Sequence, residues 1–323
     1  MSFSSLERII AICLLLCIVG TSIHAQDASI EQSRQFRGSA DLREYLLDEE
    51  EDTSYDETAP TSPGDEDMGE QLLLREKKRY RYFTVYGNSS YYFTDNATLS
   101  RTNRDSDSFF VGTVGFNARY PLSELTTIRA NVAQSFYRYN QATNLDFDSF
   151  DIYTGITKVF PDLANLIVSA DYNYSRLTYP RDNPDGEAGT EFYVQHAFIL
   201  SMLKTFPLSK AHYLFVGPSF QFSWANPDVS QRNEFSLQGG YHADITRAWF
   251  VDLNYRIAYF EFDGSVINRQ DLNQSVVLTT GYEPVDWFNV SLTSIFGFNN
   301  SSNPALDFDY KNLGGSLNFQ LEF

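Results

Sequence analysis

The segment GGSLNFQLEF, residues 314–323, decides how this sequence folds. Apolar side chains occupy every second position up to the last residue, at Leu317, Phe319, Leu321 and Phe323. Strict alternation of this kind predicts a β-strand with one apolar and one polar face. Because chain termini usually fray, a strand that keeps its pattern to the last residue must be held by a neighbouring strand.

The same alternation recurs along the chain, for example in WFVDLNYRIAYF (249–260) and WFNVSLTSIFGF (287–298). Twelve such stretches begin near residues 80, 108, 126, 148, 165, 190, 211, 232, 249, 270, 287 and 310. Each is about ten residues or longer, which is enough for a tilted strand to cross a bilayer. The sequence therefore predicts an all-β fold: a membrane-spanning, antiparallel, up-and-down β-barrel of about 12 strands over residues 80–323.

The connections between these strands alternate in length. Short ones follow the even-numbered strands: YPLSEL, FPDLAN, FPLSKA, ITRA and EPVD. Long polar ones lie between them, such as TDNATLSRTNRDSD and YPRDNPDGEAG. Bacterial outer-membrane barrels have short periplasmic turns and long extracellular loops, so we expect the bacterial outer membrane as the location. Pairing of strand twelve with strand one would leave no edge open.

A soluble β-sandwich is the alternative, since it also uses strands with one apolar face. Aromatic residues near strand ends favour a membrane interface instead. They are Tyr120, Phe206, Trp249, Phe250, Trp287 and Phe288. The mean hydropathy of −0.33 fits interleaved polar and apolar residues, and a net charge of −18 makes nucleic acid an unexpected partner.

Residues 1–25 are predicted to be a signal peptide, with an apolar core from Ile9 to Val19. A membrane anchor and a lipoprotein modified at Cys17 are the alternatives. Cys13 and Cys17 are the two cysteines of the sequence. A mature chain without the leader would therefore have no thiol for a disulfide or a metal.

Residues 26–79 are predicted to be a disordered, acidic periplasmic segment that could bind a periplasmic partner. Its stretch 48–70 contains eleven acidic residues, no basic residue and two prolines. Such a composition cannot bury enough surface to fold. The basic residues that follow either contact anionic headgroups or keep the start of strand one soluble. They are Arg75, Lys77, Lys78, Arg79 and Arg81.

Two features resemble known proteins. Leu317, Phe319, Leu321 and the terminal Phe323 resemble the signal by which the barrel-assembly machinery recognises bacterial outer-membrane barrels. YYFTDNATLSRTNRDSDSFF (91–110) and SFYRYNQATNLDFDSFD (135–151) resemble a family of β-barrel porins. Thr94, Asp95 and Asn96, then Leu145–Asp148, occupy the places of that family's two short motifs. The resemblance implies the fold and the compartment, and it does not define a cargo.

Catalytic motifs of outer-membrane enzymes are not matched, and we expect neither enzyme activity nor a cofactor. A barrel phospholipase needs a serine two residues from a histidine, and His196, His212 and His242 lack one. Asp146 and Asp148 lie in a predicted outer loop, a bilayer thickness away from His242 and Asp244. Calcium at the acidic loops LDFDSFD and ALDFDY is the weaker alternative to solvated carboxylates.

The predicted inner face leads to the functional expectation. Alternation places ten polar candidates in the lumen: Arg119, Arg129, Asp151, Asp171, Glu234, His242, Asp244, Asp252, Arg256 and Glu322. Six acids face three arginines, which predicts a porin-like channel for passive diffusion of small solutes with a weak cation preference. The alternative is a structural or assembly barrel with a filled lumen, such as one linked to export of surface polysaccharide. The same parity directs His196 toward lipid.

Overall fold

Twelve long strands form the structure, which is a computed structural model describing residues 29–30, 81–182, 186–263 and 269–323. The strands are β1 (Phe83–Thr94), β2 (Asp107–Ser123), β3 (Thr126–Tyr139), β4 (Phe147–Phe160), β5 (Leu166–Thr178), β6 (Glu191–Ser209), β7 (His212–Asn226), β8 (Arg232–Asp244), β9 (Trp249–Phe262), β10 (Arg269–Val285), β11 (Phe288–Ser301) and β12 (Phe308–Glu322). Short 3₁₀ helices lie in the connections, at Thr143–Leu145, Pro161–Leu163, Asp228–Ser230 and Pro304–Leu306. The predicted signal peptide, residues 26–79 apart from 29–30, and the basic residues 75–79 lie outside the described ranges.

The strands close into an antiparallel barrel in which each strand pairs with its sequence neighbours and β1 pairs with β12. The seam runs from Thr84 opposite Glu322 to Thr94 opposite Asn312. At its end, Phe323 N donates to Phe83 O at 2.8 Å and Tyr82 N donates to Phe323 O at 3.0 Å. The predicted closed barrel of twelve strands is confirmed, and closure holds the C-terminal strand.

The short connections adjoin irregularities in the strand ladder. Register shifts fall between Pro121 and Ser123 and between Pro207 and Ser209, next to the β2–β3 and β6–β7 turns. Proline has no N–H to donate to the ladder, so it is tolerated at a bulge near a strand end. The predicted alternation of short turns and long loops is confirmed, and by this pattern the short-turn end is periplasmic. Among the residues described, no helix is long and apolar enough to cross a bilayer.

Large apolar side chains cover the outside of the barrel. Val114 is 61% exposed, Phe198 54% and Leu292 51%, all in the middle of strands. Such a surface is unfavourable in water and is the lipid-facing band of a membrane barrel. Tyr120 and Trp287 are exposed near the periplasmic end, where an aromatic belt is expected. The exterior and the fold are those of a bacterial outer-membrane β-barrel.

The structure corrects the predicted face of Phe250 and shows the surroundings of His196 on the outer face. Phe250 is 4% exposed and faces inward over Gly281, so its assignment to the interface belt is wrong. Its neighbour Trp249 takes the outward position, because adjacent strand residues point to opposite faces. His196 is exposed on the outer face, where its Nδ1 lies 2.7 Å from Tyr172 Oη, so its polar ring is hydrogen-bonded on the lipid side.

Candidate functional site: the lumen of the barrel

The inner wall carries the polar positions of the alternation. The structure places the ten candidate residues at inward positions of their strands: Arg119, Arg129, Asp151, Asp171, Glu234, His242, Asp244, Asp252, Arg256 and Glu322. They do not form one site. Eight of them fall into separate ion-paired groups at different depths, of which Glu322 at the periplasmic rim lies 2.7 Å from Arg81 Nη1. Asp151 accepts a hydrogen bond from Ser149 Oγ at 2.6 Å.

Arg129 and Asp171 form a buried ion pair that spans an intervening strand. Arg129 Nη2 lies 2.9 Å from both carboxylate oxygens of Asp171 and 2.7 Å from Tyr153 Oη. The pair reaches from β3 to β5 because Gly155 on β4 leaves room, and a Cβ there would overlap the Asp171 carboxylate. The side chains are 10% and 0% exposed, so this pair belongs to the wall.

Two further charged clusters line the outer part of the lumen. Glu234 Oε1 is bound by Arg256 Nη2, and Glu234 Oε2 lies 3.5 Å from Arg232 Nη2. The Arg232 guanidinium also stacks 3.7 Å from the centroid of the Phe260 ring. Arg269 Nε donates to both oxygens of Asp271 at 3.0 Å.

Sequence reasoning missed Arg232, Arg269 and Asp271. Arg232 and Arg269 are the first residues of β8 and β10, and Asp271 lies two residues further on, where a pattern-based strand boundary is least certain. The parity of β8 would have found Arg232, since it lies two residues before Glu234. Asp107 at the start of β2 and Glu283 near the end of β10 also take inward positions. The inward strand positions of the described residues therefore hold nine acids and five arginines, and the surplus of acids rises from three (6 − 3) to four (9 − 5).

His242 lies between two carboxylates near the periplasmic rim. Its Nδ1 is 2.6 Å from Asp252 Oδ1 and its Nε2 is 3.2 Å from Asp244 Oδ1. The three side chains are 15%, 17% and 38% exposed for His242, Asp252 and Asp244. Water therefore reaches this cluster. Within the described ranges, no group of three or more His, Cys, Asp or Glu side chains is arranged to hold a metal.

The residues of the porin-like motifs tie the outer loops to the barrel rim. Asn96 is fully buried, and its Nδ2 donates to Ser100 O and Asp309 O, each at 2.8 Å. Asp95 Oδ1 accepts from Lys311 N at 2.7 Å. Asp146 Oδ1 accepts from Tyr139 N at the same distance. These contacts give the motif residues a structural role at the outer end.

The acidic loop segments considered for calcium contain carboxylates that already have cationic partners. The pairs are Asp146 with Arg181, Asp148 with Arg138, Asp307 with Arg101, and Asp309 with Arg104. The hydrogen bond to Asp309 raises the pKa of Arg104 from its ordinary value. Arginine partners compete with a bound cation, so the geometry favours loop stabilisation.

The outer half of the lumen holds an apolar group that we call the outer cluster. Its members are Tyr92, Ala97, Phe109, Val111, Tyr137, Tyr139, Leu145, Phe147, Leu177, Tyr193 and Ala225, and Ile30 packs among them. Rings stack in two sets: Phe109 lies 5.5 Å from Tyr92 and 5.0 Å from Tyr139, and Tyr137 lies 4.1 Å from Phe147. Because these side chains extend inward from β1–β7 and their outer loops, they narrow the lumen at this depth.

The periplasmic half of the lumen is lined mainly by neutral polar side chains that are half-buried. Asn318 Nδ2 donates to Asn289 Oδ1 at 2.7 Å, and Asn318 accepts from Asn88. Hydroxyl pairs extend the lining, such as Thr279 with Thr293 at 3.2 Å. These groups can exchange hydrogen bonds with water or a polar solute.

Bulky rings in the periplasmic half lie along the wall. A Cβ at Gly115 would overlap the Tyr86 ring, and a Cβ at Gly281 would overlap the Phe250 ring. Tyr86 Oη continues past Gly115 to lie 3.2 Å from Asn131 Oδ1 on β3. The glycines therefore provide troughs in the wall for rings that would otherwise project toward the axis.

Comparison with known proteins supports the fold. No protein-family model and no curated protein sequence matches this chain. The chain is similar in structure to an outer membrane channel from Pseudomonas putida F1, with a TM-score of 0.53, 11% identity, and coverage of 81% of this chain and 100% of that one. It is less similar to LpxR from Salmonella typhimurium, with a TM-score of 0.41, 11% identity and coverage of 73% and 99%. The first likeness confirms the barrel fold, and the second is too distant to carry an argument.

Proposed function

We propose that this barrel is a channel for passive diffusion of small polar solutes across the outer membrane. The observation that carries the proposal is the periplasmic half of the lumen. Neutral amides and hydroxyls line it, and glycine troughs keep rings such as Tyr86 and Phe250 against the wall. A barrel of eight strands is filled by its side chains, whereas twelve strands enclose a wider interior.

A weak cation preference belongs to this proposal. Nine acids and five arginines occupy inward strand positions among the described residues, and the acids in the solvated half include Asp244 and Asp252. Each buried ion pair, such as Arg129 with Asp171, has no net charge and therefore contributes little to the electric field in the lumen. Exposed charges are screened over about 8 Å at physiological ionic strength, so the preference should fall as salt rises.

A structural or assembly barrel with a filled lumen is the second candidate, and the outer cluster favours it. In that function the acidic residues 26–79 would bind a periplasmic partner, and transport would not occur. Ile167, Leu203 and Phe215 form a small buried cluster near the periplasmic turns. We favour the channel because many other inward residues of the periplasmic half, such as Asn318 and Thr279, remain half-buried.

The chain is proposed to act without catalysis. His242 is engaged on both ring nitrogens by Asp252 and Asp244, an arrangement that orients the ring and offers no free nitrogen to a nucleophile. The alternating residues Leu317, Phe319, Leu321 and Phe323 face outward and are proposed to contact lipid and the barrel-assembly machinery.

Planar-bilayer recording tests the channel. Purified protein is expected to give discrete conductance steps. The chain lacking residues 26–74 serves as the second sample, because it keeps all twelve strands that the structure describes. Silence of both proteins, each verified as a compact barrel on a semi-native gel, would establish the filled-lumen alternative.

A further inference from the structure

Two residues far from the barrel in sequence lie inside it. Ile30 is 3% exposed and packs in the outer cluster, and Ser29 is 4% exposed. Ser29 Oγ donates a hydrogen bond to Leu145 O at 3.3 Å. An isoleucine that is 3% exposed in this aromatic-rich cluster is removed from water as completely as a residue of a protein core.

The location of Ile30 is opposite to that of the first barrel residue. Leu145 lies in the β3–β4 connection and the other members of the outer cluster lie at or near the loop ends of their strands, so Ile30 is at the outer end of the lumen. Arg81 is at the periplasmic rim, paired with Glu322. Ser29 and Ile30 thus contact the end of the barrel farthest from where β1 begins.

The wall beside the outer cluster presents polar groups suited to a peptide. Ser175 Oγ, Gln195 Nε2 and Tyr139 Oη are buried and have no hydrogen-bond partner among the residues that the structure describes. Ser175 and Gln195 face each other across β5 and β6, next to Leu177 and Tyr193 of the cluster. Buried donors and acceptors are costly when unsatisfied, and a backbone offers both C=O and N–H groups.

We propose that the outer cluster is a docking site for the chain's own N-terminal segment, with Ile30 as its apolar anchor, and that this contact closes the outer half of the channel. The inference rests on the proposed channel function. If the leader is cleaved after Ala25, as the sequence predicts, Ser29 is the fourth residue of the mature chain, so the anchor lies at the very start of the protein. Release of Ile30 opens the lumen.

Ile30→Asp tests closure in planar bilayers. A carboxylate is disfavoured in the aromatic surroundings, so the docked state should be depopulated and the time-averaged current should rise roughly tenfold or more. Asn103→Asp is the matched control, since it adds the same charge to an exposed outer loop outside the cluster. Equal currents for wild type and Ile30→Asp would overturn the closure.

A cysteine pair tests docking without relying on conductance. The double variant Ile30→Cys/Leu145→Cys is made in the mature chain, which has no other thiols. After oxidation in lipid vesicles it should form an intramolecular disulfide, which mass spectrometry detects as a linked peptide. The pair Ile30→Cys/Leu163→Cys places the second thiol in the exposed β4–β5 turn at the periplasmic end and should not crosslink.

The two experiments separate the two proposals. A crosslink with no current from any variant would overturn the channel and keep the docking site. A current that is the same in all variants, together with no crosslink, would keep the channel and overturn the docking site. A crosslink that lowers the current, with recovery on reduction, supports both.

Discussion

The two halves of the lumen are built on the same twelve strands and with the same inward parity, but they differ in what fills them. In the outer half the inward side chains are mostly large or charged, and their neighbours bury them. Tyr193 on β6 and Asp271 on β10 are two examples. In the periplasmic half, Asn318 and Thr279 are only half-buried. Alternation therefore decides which face a residue takes, while side-chain size and pairing decide whether the lumen stays open.

The difference has a physical basis in the connections. Long outer loops bring extra residues over the mouth, and Asn96 and Asp146 fix those loops to the rim through backbone hydrogen bonds. The short periplasmic turns bring no such residues. The half of the lumen with the shorter connections therefore keeps more of its inward residues half-buried.

The largest expected effect comes from breaking the seam on which both halves depend. Phe323→Asp places a charge on the outer face at the end of β12, where Phe323 is 66% exposed toward the membrane. A carboxylate at the bilayer interface is unfavourable and interrupts the apolar C-terminal pattern. We expect most of the protein to fail to reach the outer membrane as a compact, heat-modifiable barrel on semi-native gels.

Phe323→Leu is the control for this change, because it keeps the apolar pattern and should assemble like the wild type. Normal amounts of compact barrel from Phe323→Asp would show that the terminal residue is dispensable for closure.

A second expected effect contrasts a buried ion pair with a solvated one. Asp171→Ala leaves Arg129 as a buried cation without its carboxylate, and removing one partner of a buried pair costs about 3–5 kcal/mol. Asp252→Ala removes a carboxylate that water already reaches, so we expect a loss of about 1 kcal/mol or less. Urea unfolding of the refolded barrel, followed by tryptophan fluorescence, measures both.

The double variant Arg129→Leu/Asp171→Leu checks the cause. It removes both charges, so it should recover most of the stability lost in Asp171→Ala. A double variant as unstable as the single one would mean that packing around Gly155, and not the unpaired charge, produces the loss.

A third effect uses adjacent glycines on opposite faces of β12. A Cβ at Gly314 would overlap the inward Tyr92 ring and lie 2.6 Å from Tyr91 O, whereas a Cβ at Gly315 would meet only Ser291 O at 3.8 Å. Overpacking usually costs about 1–3 kcal/mol, so Gly314→Ala should destabilise by that amount. Gly315→Ala should change the unfolding free energy by about 0.5 kcal/mol or less in the same urea experiment. Equal effects would show that Tyr92 can move off the wall.

The fold could be predicted from the sequence because a barrel repeats one local rule. Alternation, loop length and an apolar final residue are each visible without long-range information, and the twelve strands start within three residues of the predicted positions. His196 was assigned to the lipid face by parity alone, and it lies there next to Tyr172.

The lumen could be predicted only in part, because its contents depend on contacts across strands. The reach of Asp171 over Gly155 to Arg129 joins residues on three strands, and no local pattern encodes it. Phe250 looked like a belt residue because it adjoins Trp249, although one step along a strand reverses the face. Ile30 has no alternating neighbours at all, so its position in the outer cluster is visible only in the structure.

The smallest expected effect concerns ion selectivity, and it asks which half sets it. Asp244 and Asp252 face the solvated half, while Asp271 and Glu234 are held by arginines in the buried half. The double variant Asp244→Asn/Asp252→Asn removes two of the nine inward acids, which halves the surplus of four over the five arginines (7 against 5). The cation-to-anion permeability ratio, from reversal potentials in a KCl gradient, should fall toward unity.

The selectivity variants are made in the chain lacking residues 26–74, which also lacks Ile30. Ile30→Asp is not used as the background, because it would add a further acid. Asp162→Asn, in the exposed β4–β5 turn outside the lumen, removes a charge at the same end of the barrel and should leave the ratio unchanged. The effect of the double variant should be largest at low salt, because a Debye length of about 30 Å at 0.01 M lets the rim charges act across the bore. Two outcomes would contradict this assignment: a wild-type channel that prefers anions, or a permeability ratio that is unchanged in Asp244→Asn/Asp252→Asn. Either would mean that the paired charges of the outer half control permeation.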